Sequence, residues 1–406
     1  LLILLMILRQ KILDQLHAKH SRFAAFDDDF QSEAETYRRA LRQLSELSRE
    51  ELCLRLEARA TPGALPTAEF DQARSLRVKF APRFANHQEA RTWAHAALLD
   101  HTTFAADGSQ IQPADDFSLP VAAVQVAWFI NHHRPEGSYT KEIDFEVLAP
   151  DELLLELNGA QVISEQSVNL RRFELEVTTL CRLLRQLAAD REHTKKTPLA
   201  LFDSSLVISF ADRLQEPQRA EYSRLMLLLL RCSEETGVPL VGYVDTSQAR
   251  DLTNLLAHAL GLREAAKIHD AELVSALLQW GDRTPLFICA RGSADKKQQG
   301  ILESFEEYRR GIGFVYLQTT AAAPPARLDL PLWIYERGLL DQVIDLVRAE
   351  VIVGNGYPYV IETADAAAVI TMKDREAFYA IFQKFVEERG VALRISQKAA
   401  SKSRRR

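Results

Sequence analysis

Cysteine is scarce, with four residues (Cys53, Cys181, Cys232 and Cys289) among 406. They lie far apart, and no Cys-x-x-Cys pair or Cys/His pair at zinc spacing occurs, which argues against a zinc site. Each sits in apolar sequence and reads as a small buried hydrophobe of a reducing compartment, so a cytoplasmic protein is expected. Long apolar runs are also missing. The opening, Leu1 to Leu8, is wholly apolar but far shorter than the ~20 residues of a membrane helix. No basic region precedes it and no small-residue cleavage site follows, so neither a membrane span nor a signal peptide is expected. It reads as the start of a helix that packs on the chain itself or on a partner. Positive charge is not in excess either. Lys and Arg number 50 against 56 Asp and Glu, a net charge of −6. This excludes coating nucleic acid by bulk charge but leaves room for a nuclease, where bound cations and a local Arg/Lys groove offset the phosphates. The sequence has no Gly-x-x-x-x-Gly-Lys-Ser/Thr and no Gly-x-Gly-x-x-Gly, and Gly311-Ile312-Gly313 is too short a match for a nucleotide loop. No Gly-x-Ser-x-Gly elbow marks a serine hydrolase.

What is present is a soluble globular chain, 47% hydrophobic and 26% charged, long for one compact domain and short for three. Residues 1 to about 60 show helical periodicity (Leu13, Leu16, Leu41, Leu44, Leu47, Leu52, Leu54). Asp27-Asp28-Asp29 reads as a solvated loop or helix start, since consecutive carboxylates point in different directions. Thr61-Pro62-Gly63 breaks the pattern, and a further helix is expected from His87 to Asp100. Three strands follow, Phe104 to Ile111, Val121 to Asn131 and Tyr139 to Leu148, joined by short links as an antiparallel meander. Then come a helix from about Ser164 to Ala189, a polar linker from Asp190 to Thr197, and a strand from Pro198 to Leu206. A helix (Pro217 to Thr236) and a strand (Val238 to Val244) complete a strand–helix–strand order. Beyond these, helices are expected over Leu252–Leu262, Ala271–Leu278 and Gly338–Glu350, and strands over Pro285–Ala290, Gly313–Gln318 and Pro331–Tyr335. Ser293 to Arg310 reads as a surface helix. Gly354 to Tyr359 reads as a turn before a last pair of helices, and Gln397 to Arg406 as a basic, disordered tail.

Four acids stand at the edges of apolar elements. Asp107 and Asp203 each close a hydrophobic strand and precede small residues (Asp107-Gly108-Ser109, Asp203-Ser204-Ser205). Glu176 lies on a helix with an apolar face, just after Arg171 and Arg172. Asp365 lies in the small, apolar stretch Glu362 to Ala368. One such acid reads as a cap or turn residue, since Asp-Gly is a common turn. Several on a mixed sheet suggest a divalent-metal site, because a partly desolvated carboxylate is costly without a cation or several donors. Phosphodiester hydrolysis suits that grouping. Two hard cations about 4 Å apart activate water and stabilise the departing oxygen, and Mg²⁺ or Mn²⁺ prefer oxygen ligands. The element order is that of an α/β fold: a ribonuclease H-like mixed sheet flanked by helices, with an N-terminal helical extension.

Over roughly residues 100 to 375 the chain resembles the NurA nucleases, DNA-end-processing partners of the HerA ATPase. The matching pieces, in order, are Asp107-Gly108-Ser109, the Arg-x-x-x-Glu of Arg172 to Glu176, Asp203-Ser204-Ser205-Leu206, and Gly356-Tyr357-Pro358. The resemblance implies a helical region over 1–99, a NurA-like nuclease domain over 100–390 and a tail over 391–406. It implies that Asp107, Glu176 and Asp203 bind catalytic Mn²⁺ or Mg²⁺, with Asp365 at the same site and Glu174 the alternative to Glu176. It places Tyr357 beside the site, with Pro358 holding its turn. It implies 5'–3' exonuclease and single-strand endonuclease activity in double-strand break repair, a homodimer with DNA threaded between subunits, and a hexameric HerA-type ATPase as partner. Two positions depart from the family. Many members carry His where this chain has Asp365, and many carry Lys near Asp245, a charge that Arg250 is the nearest residue to replace. A catalytically weakened DNA-binding or scaffold subunit of a HerA-type complex is the alternative these departures raise. The presence of Asp107, Glu176 and Asp203 together speaks against it.

Overall fold

The computed structural model describes residues 2–394, apart from 74, 115, 158, 191–195 and 294–298. The basic tail and most of the polar linker lie outside the described residues. The strands are β1 (Gly63–Pro66), β2 (Thr103–Ile111), β3 (Ala122–Asn131), β4 (Tyr139–Leu148), β5 (Leu154–Leu157), β6 (Ala160–Ile163), β7 (Leu199–Phe202), β8 (Leu240–Val244), β9 (Phe287–Ala290), β10 (Ile312–Leu317) and β11 (Ala326–Pro331). The chain divides into two units, one of residues 1–80, 246–292 and 315–327, the other of 81–245, 293–314 and 328–406.

The second unit is built on the strand sequence β11-β8-β7-β2-β3-β4, of which β11 contributes residues 328–331. As the spacing predicts, β2, β3 and β4 form an antiparallel meander, while β2, β7 and β8 run parallel. The sheet is therefore mixed, and helices flank it in the ribonuclease H-like order. Nearly all of β3 is buried, which is why its apolar residues run almost without alternation. The helix Glu165–Ala189 starts at Ser164, whose hydroxyl accepts the Gln166 N–H at 3.1 Å. It packs on β2 and β3, and its Val168 joins Ala122, Val124, Leu148 and Leu153 in one buried cluster. The helix Gln218–Thr236 packs against it in turn, and Tyr359–Ala368 also covers β2 and β3.

The first unit holds the helices Leu2–Ala18, His20–Leu44 and Arg49–Leu56, with Asp251–Leu260, β1 and β9. Ala34, Tyr37, Leu41 and Leu44 are the buried stripe of the second helix. There the Glu33 carboxylate accepts three backbone N–H groups, from Ala266, Lys267 and Ile268. Ile12, Leu13 and Leu16 of the first helix are exposed on the single chain. Among the described residues no helix is long and apolar enough to cross a membrane.

Four readings from sequence change. Asp27 to Asp29 lie inside the helix His20–Leu44 rather than in a loop or at a helix start. The strand expected at Pro331–Tyr335 lies earlier, over Ala326–Pro331, and Trp333–Glu336 is a helical turn. Buried Arg327 and Asp329 disguise that strand as a polar one, and the apolar run after Pro331 drew the reading forward. The described part of Ser293 to Arg310 is two 3₁₀ turns, Ile301–Ser304 and Glu306–Arg310, in place of a surface helix. Finally, Asp107 does not close its strand. It sits mid-strand, opposite Ala127, with Gly108 opposite Val126.

Candidate active site

The position of Asp107 follows from unequal strand lengths. β7 pairs with β2 only from Thr103↔Leu199 to Ala105↔Leu201, whereas β2 continues against β3 to Ile111. Past Ala105, β2 therefore flanks a notch at the carboxyl end of the parallel strands. β7 ends at Phe202 and β8 at Val244, so the next residues, Asp203 and Asp245, reach the same rim. This is the edge at which open α/β sheets place their sites.

Alternation along β2 puts Asp107 on the face of Ser109 and its partner Gln125, whose Nε2 donates to the Ala368 carbonyl on the helix Tyr359–Ala368. Gly108 and Gln110 belong to the opposite face, the one covered by Glu165–Ala189, where Gln110 Nε2 donates to Asn169 Oδ1 at 3.2 Å. Glu176 comes from that helix and reaches the notch because Gly108 has no side chain. A Cβ there would press into Glu176 Oε1 and lie 2.8 Å from Arg172 Cγ. Arg172, one helical turn before Glu176, donates from Nη1 to Glu176 Oε1 at 2.5 Å and to the Gly108 carbonyl at 3.2 Å. Helical geometry also separates the two glutamates, because a two-residue step turns about 200°. Glu174 accepts instead from Arg171 Nη1 at 2.6 Å, on the side where Arg171 meets Glu146, while Glu176 is only 5% exposed and lines the cavity.

Asp203 accepts the Tyr357 hydroxyl at 2.5 Å. The chain after Asp203 is held by Asp329, a fully buried carboxylate of β11 that accepts from Ser205 Oγ and the Leu206 N–H. Tyr357 comes from the turn between the helices Leu340–Val353 and Tyr359–Ala368, and its ring meets the edge of Tyr243. A Cβ at Gly354 would collide with the Tyr357 carbonyl, so this tight turn requires glycine. Glu350, fully buried, ties the turn to the sheet. It accepts from Thr103 Oγ1, pairs with His133 Nε2 at 2.9 Å, and accepts the Val360 N–H. Asp365 lies exposed on the Tyr359–Ala368 helix, and its charge acts on both Asp107 and Asp203. Asp107, Glu176, Asp203, Tyr357 and Asp365 thus gather around one notch, and the cavity of about 470 Å³ is lined by the first three. Arg172 belongs to the Arg-x-x-x-Glu motif, whereas Asp329 and Glu350 have supporting positions that no sequence motif announces.

The electrostatics are those of carboxylates held without enough compensation. Burial pushes Asp107 up to about 6; the Gly108 N–H opposes this, and the charges of Asp365 and Asp203 add to it. Burial pushes Glu176 up to about 7 despite Arg172. Asp203 is raised by burial too, against the Tyr357 hydrogen bond, and the Tyr357 hydroxyl is itself held well above its usual range by burial and by Asp203. An acid whose folded pKa is raised favours folding when protonated and loses that advantage as pH rises through the folded value. Glu176→Gln mimics the protonated form at every pH. In metal-free buffer its thermal midpoint relative to wild type should therefore move in the variant's favour between pH 5 and pH 8. A difference that is flat or moves the other way contradicts the raised value.

Oxygen-only donors crowding one rim fit a hard divalent cation. Among the described residues the acids ring the notch without three of them already converging on one point, and the Arg172 guanidinium is the positive charge now in contact with Glu176.

A NurA domain model matches residues 101–370. A search of the curated proteins finds no match. Among solved structures, the chain is similar to a crystal structure of NurA with manganese (10% identity, 70% of this chain and 89% of that one, TM-score 0.39). It is also similar to one of NurA bound to dAMP and manganese (10%, 68% and 86%, 0.39) and to a further crystal structure of NurA (9%, 70% and 88%, 0.40). With two thirds of its length inside the domain model, the chain belongs to the NurA family of nucleases.

Proposed function

We propose that the chain is a Mn²⁺- or Mg²⁺-dependent deoxyribonuclease that processes DNA ends. The observation that carries this reading is that Asp107, Glu176 and Asp203, from three separate elements, line one notch and are all held above their usual range there. These three carboxylates would hold the metal, with Asp365 at the rim. The metal supplies Lewis-acid stabilisation of the phosphate and a water of lowered pKa. Manganese is favoured because related NurA crystal structures contain it.

The chain's own groups prepare the site. Tyr357 stays protonated and orients Asp203 by donating to it. Glu350 and the Gly354 turn fix Tyr357, and Asp329 fixes the backbone after Asp203. Arg172 is the cation on the cavity wall and the residue best placed to meet a phosphate. Arg250 donates to the Ala266 carbonyl and is not assigned that task. A 5'–3' exonuclease with single-strand endonuclease activity, working in recombination repair as a homodimer with a HerA-type ATPase in the cytoplasm, is the fuller form of the proposal. It rests on family membership.

The test is cleavage of linear single- and double-stranded DNA with Mn²⁺ and with chelator. Wild type should cut only with the metal. Glu176→Gln should lose about 100-fold or more, and Glu174→Gln should stay within about threefold, as for a surface ion pair. Equal losses in both variants would remove Glu176 from the site. Absence of cleavage by wild type, with the ATPase present, would favour a scaffold subunit.

A further inference from the structure

The cavity lined by the acids is lined by a chain of aromatic rings as well. Phe210 meets Tyr222 edge-on, with ring centroids 5.1 Å apart at 89°. Tyr222 meets Phe173 at 5.0 Å, and Phe173 meets Phe202 at 6.3 Å. This chain of rings is joined to the acid cluster at two points, since Phe202 immediately precedes Asp203 and Phe173 follows Arg172. All four rings line the cavity. Three are buried, but Phe210 is 50% exposed. It sits on the 3₁₀ turn Ser209–Arg213, next to buried Val207, Ile208 and Ala211, so the turn is anchored while the ring stands at the mouth. On the same wall, Asn169 Oδ1 accepts amide hydrogens from both Gln110 and Gln112, which fixes that amide's orientation.

An anchored, half-exposed phenyl ring has little value for holding a phosphate. It is the surface on which a nucleobase stacks, whatever its identity. A cavity of about 470 Å³ is at the small end for ligand sites and suits one nucleotide rather than a base pair. A base has to be unpaired to present its face there. We propose that Phe210 is the stacking platform for the unpaired base of the nucleotide next to the phosphate addressed by the acids. The cavity is then a single-nucleotide subsite, and the preferred substrate is an unpaired strand end. This rests on the nuclease reading for the role of the acids but not for the stacking itself.

Binding and cleavage separate the two. The full chain and its Phe210→Ala, Phe210→Leu and Phe210→Trp variants are titrated by fluorescence anisotropy with two 20-mers, oligothymidine and a strand of abasic tetrahydrofuran units, in chelator so that nothing is cut. Wild type should bind oligothymidine about 10-fold more tightly than the abasic strand. Phe210→Trp should keep that preference, and Phe210→Ala and Phe210→Leu should lose most of it. A wild-type preference below twofold overturns the proposal, as does full retention in Phe210→Ala. Retention in Phe210→Leu overturns stacking in favour of simple apolar contact. With Mn²⁺, Phe210→Ala should raise KM for oligothymidine about 10-fold and change kcat less than threefold. A wild type that binds with the stated preference but cuts nothing would refute the nuclease reading and leave the stacking subsite standing.

Discussion

Asp107→Ala and Asp203→Ala should each lower metal-dependent DNA cleavage on the order of 10³-fold, the loss of several kcal/mol of transition-state stabilisation that a misplaced metal entails. Stability should move the other way or hardly at all. Both carboxylates are raised above their usual range, Asp107 half-buried and Asp203 more exposed, so removing Asp107 relieves a cost in the metal-free fold and removing Asp203 changes its stability little. Kinetics alongside thermal midpoints check the pair of effects. Activity lost only in proportion to a collapse of the fold would make these acids structural. Asp365→Ala should cost much less, because that side chain does not line the cavity and acts on the other two by charge.

Gly108→Ala is the second large effect, and it adds only a methyl group. The new Cβ would press on Glu176 Oε1 and Arg172 Cγ. Both belong to flexible side chains, so the helix and strand need not separate. The expected stability loss is about 1–3 kcal/mol, as for a modestly overpacked site. Cleavage should fall about 100-fold, the scale of a 1 Å error in placing a reacting group. If Gly108→Ala retains wild-type activity, Glu176 does not work from the position described. Because Asp107 lies on the other face of β2, the variant disturbs one side of the notch and spares the other.

The fold of the nuclease region was largely legible, because its elements carry strong local signals. The meander β2-β3-β4 alternates or runs apolar between clear turns, and Ser164 marks the start of the helix that bears Glu176. Less legible was everything set by strand pairing. Asp107-Gly108 has the composition of a turn, and only its register with Ala127 and Val126, together with the early end of β7, makes it a mid-strand site beside a notch. The choice between Glu174 and Glu176 needed a helical phase relative to the sheet, which one sequence does not supply. Asp329 lies in a strand that its own polar residues disguise and Glu350 at the end of an ordinary-looking helix, and both act chiefly through partners 123 to 247 residues away in the chain. Phe210 was missed for a related reason. A single aromatic in an apolar run reads as core, and its exposure is decided by the 3₁₀ turn that carries it.

The central claim is that Asp107, Glu176 and Asp203 form one divalent-metal site, and direct Mn²⁺ titration followed by electron paramagnetic resonance tests it without relying on activity. Wild-type protein at pH 8 should bind Mn²⁺ and release it as pH falls through 7 to 6, where Glu176 and Asp107 take up protons. Asp107→Ala, Asp203→Ala and Glu176→Gln should each weaken binding by at least about 10-fold. Wild-type affinity in all three variants, or binding indifferent to pH across that range, would contradict the account.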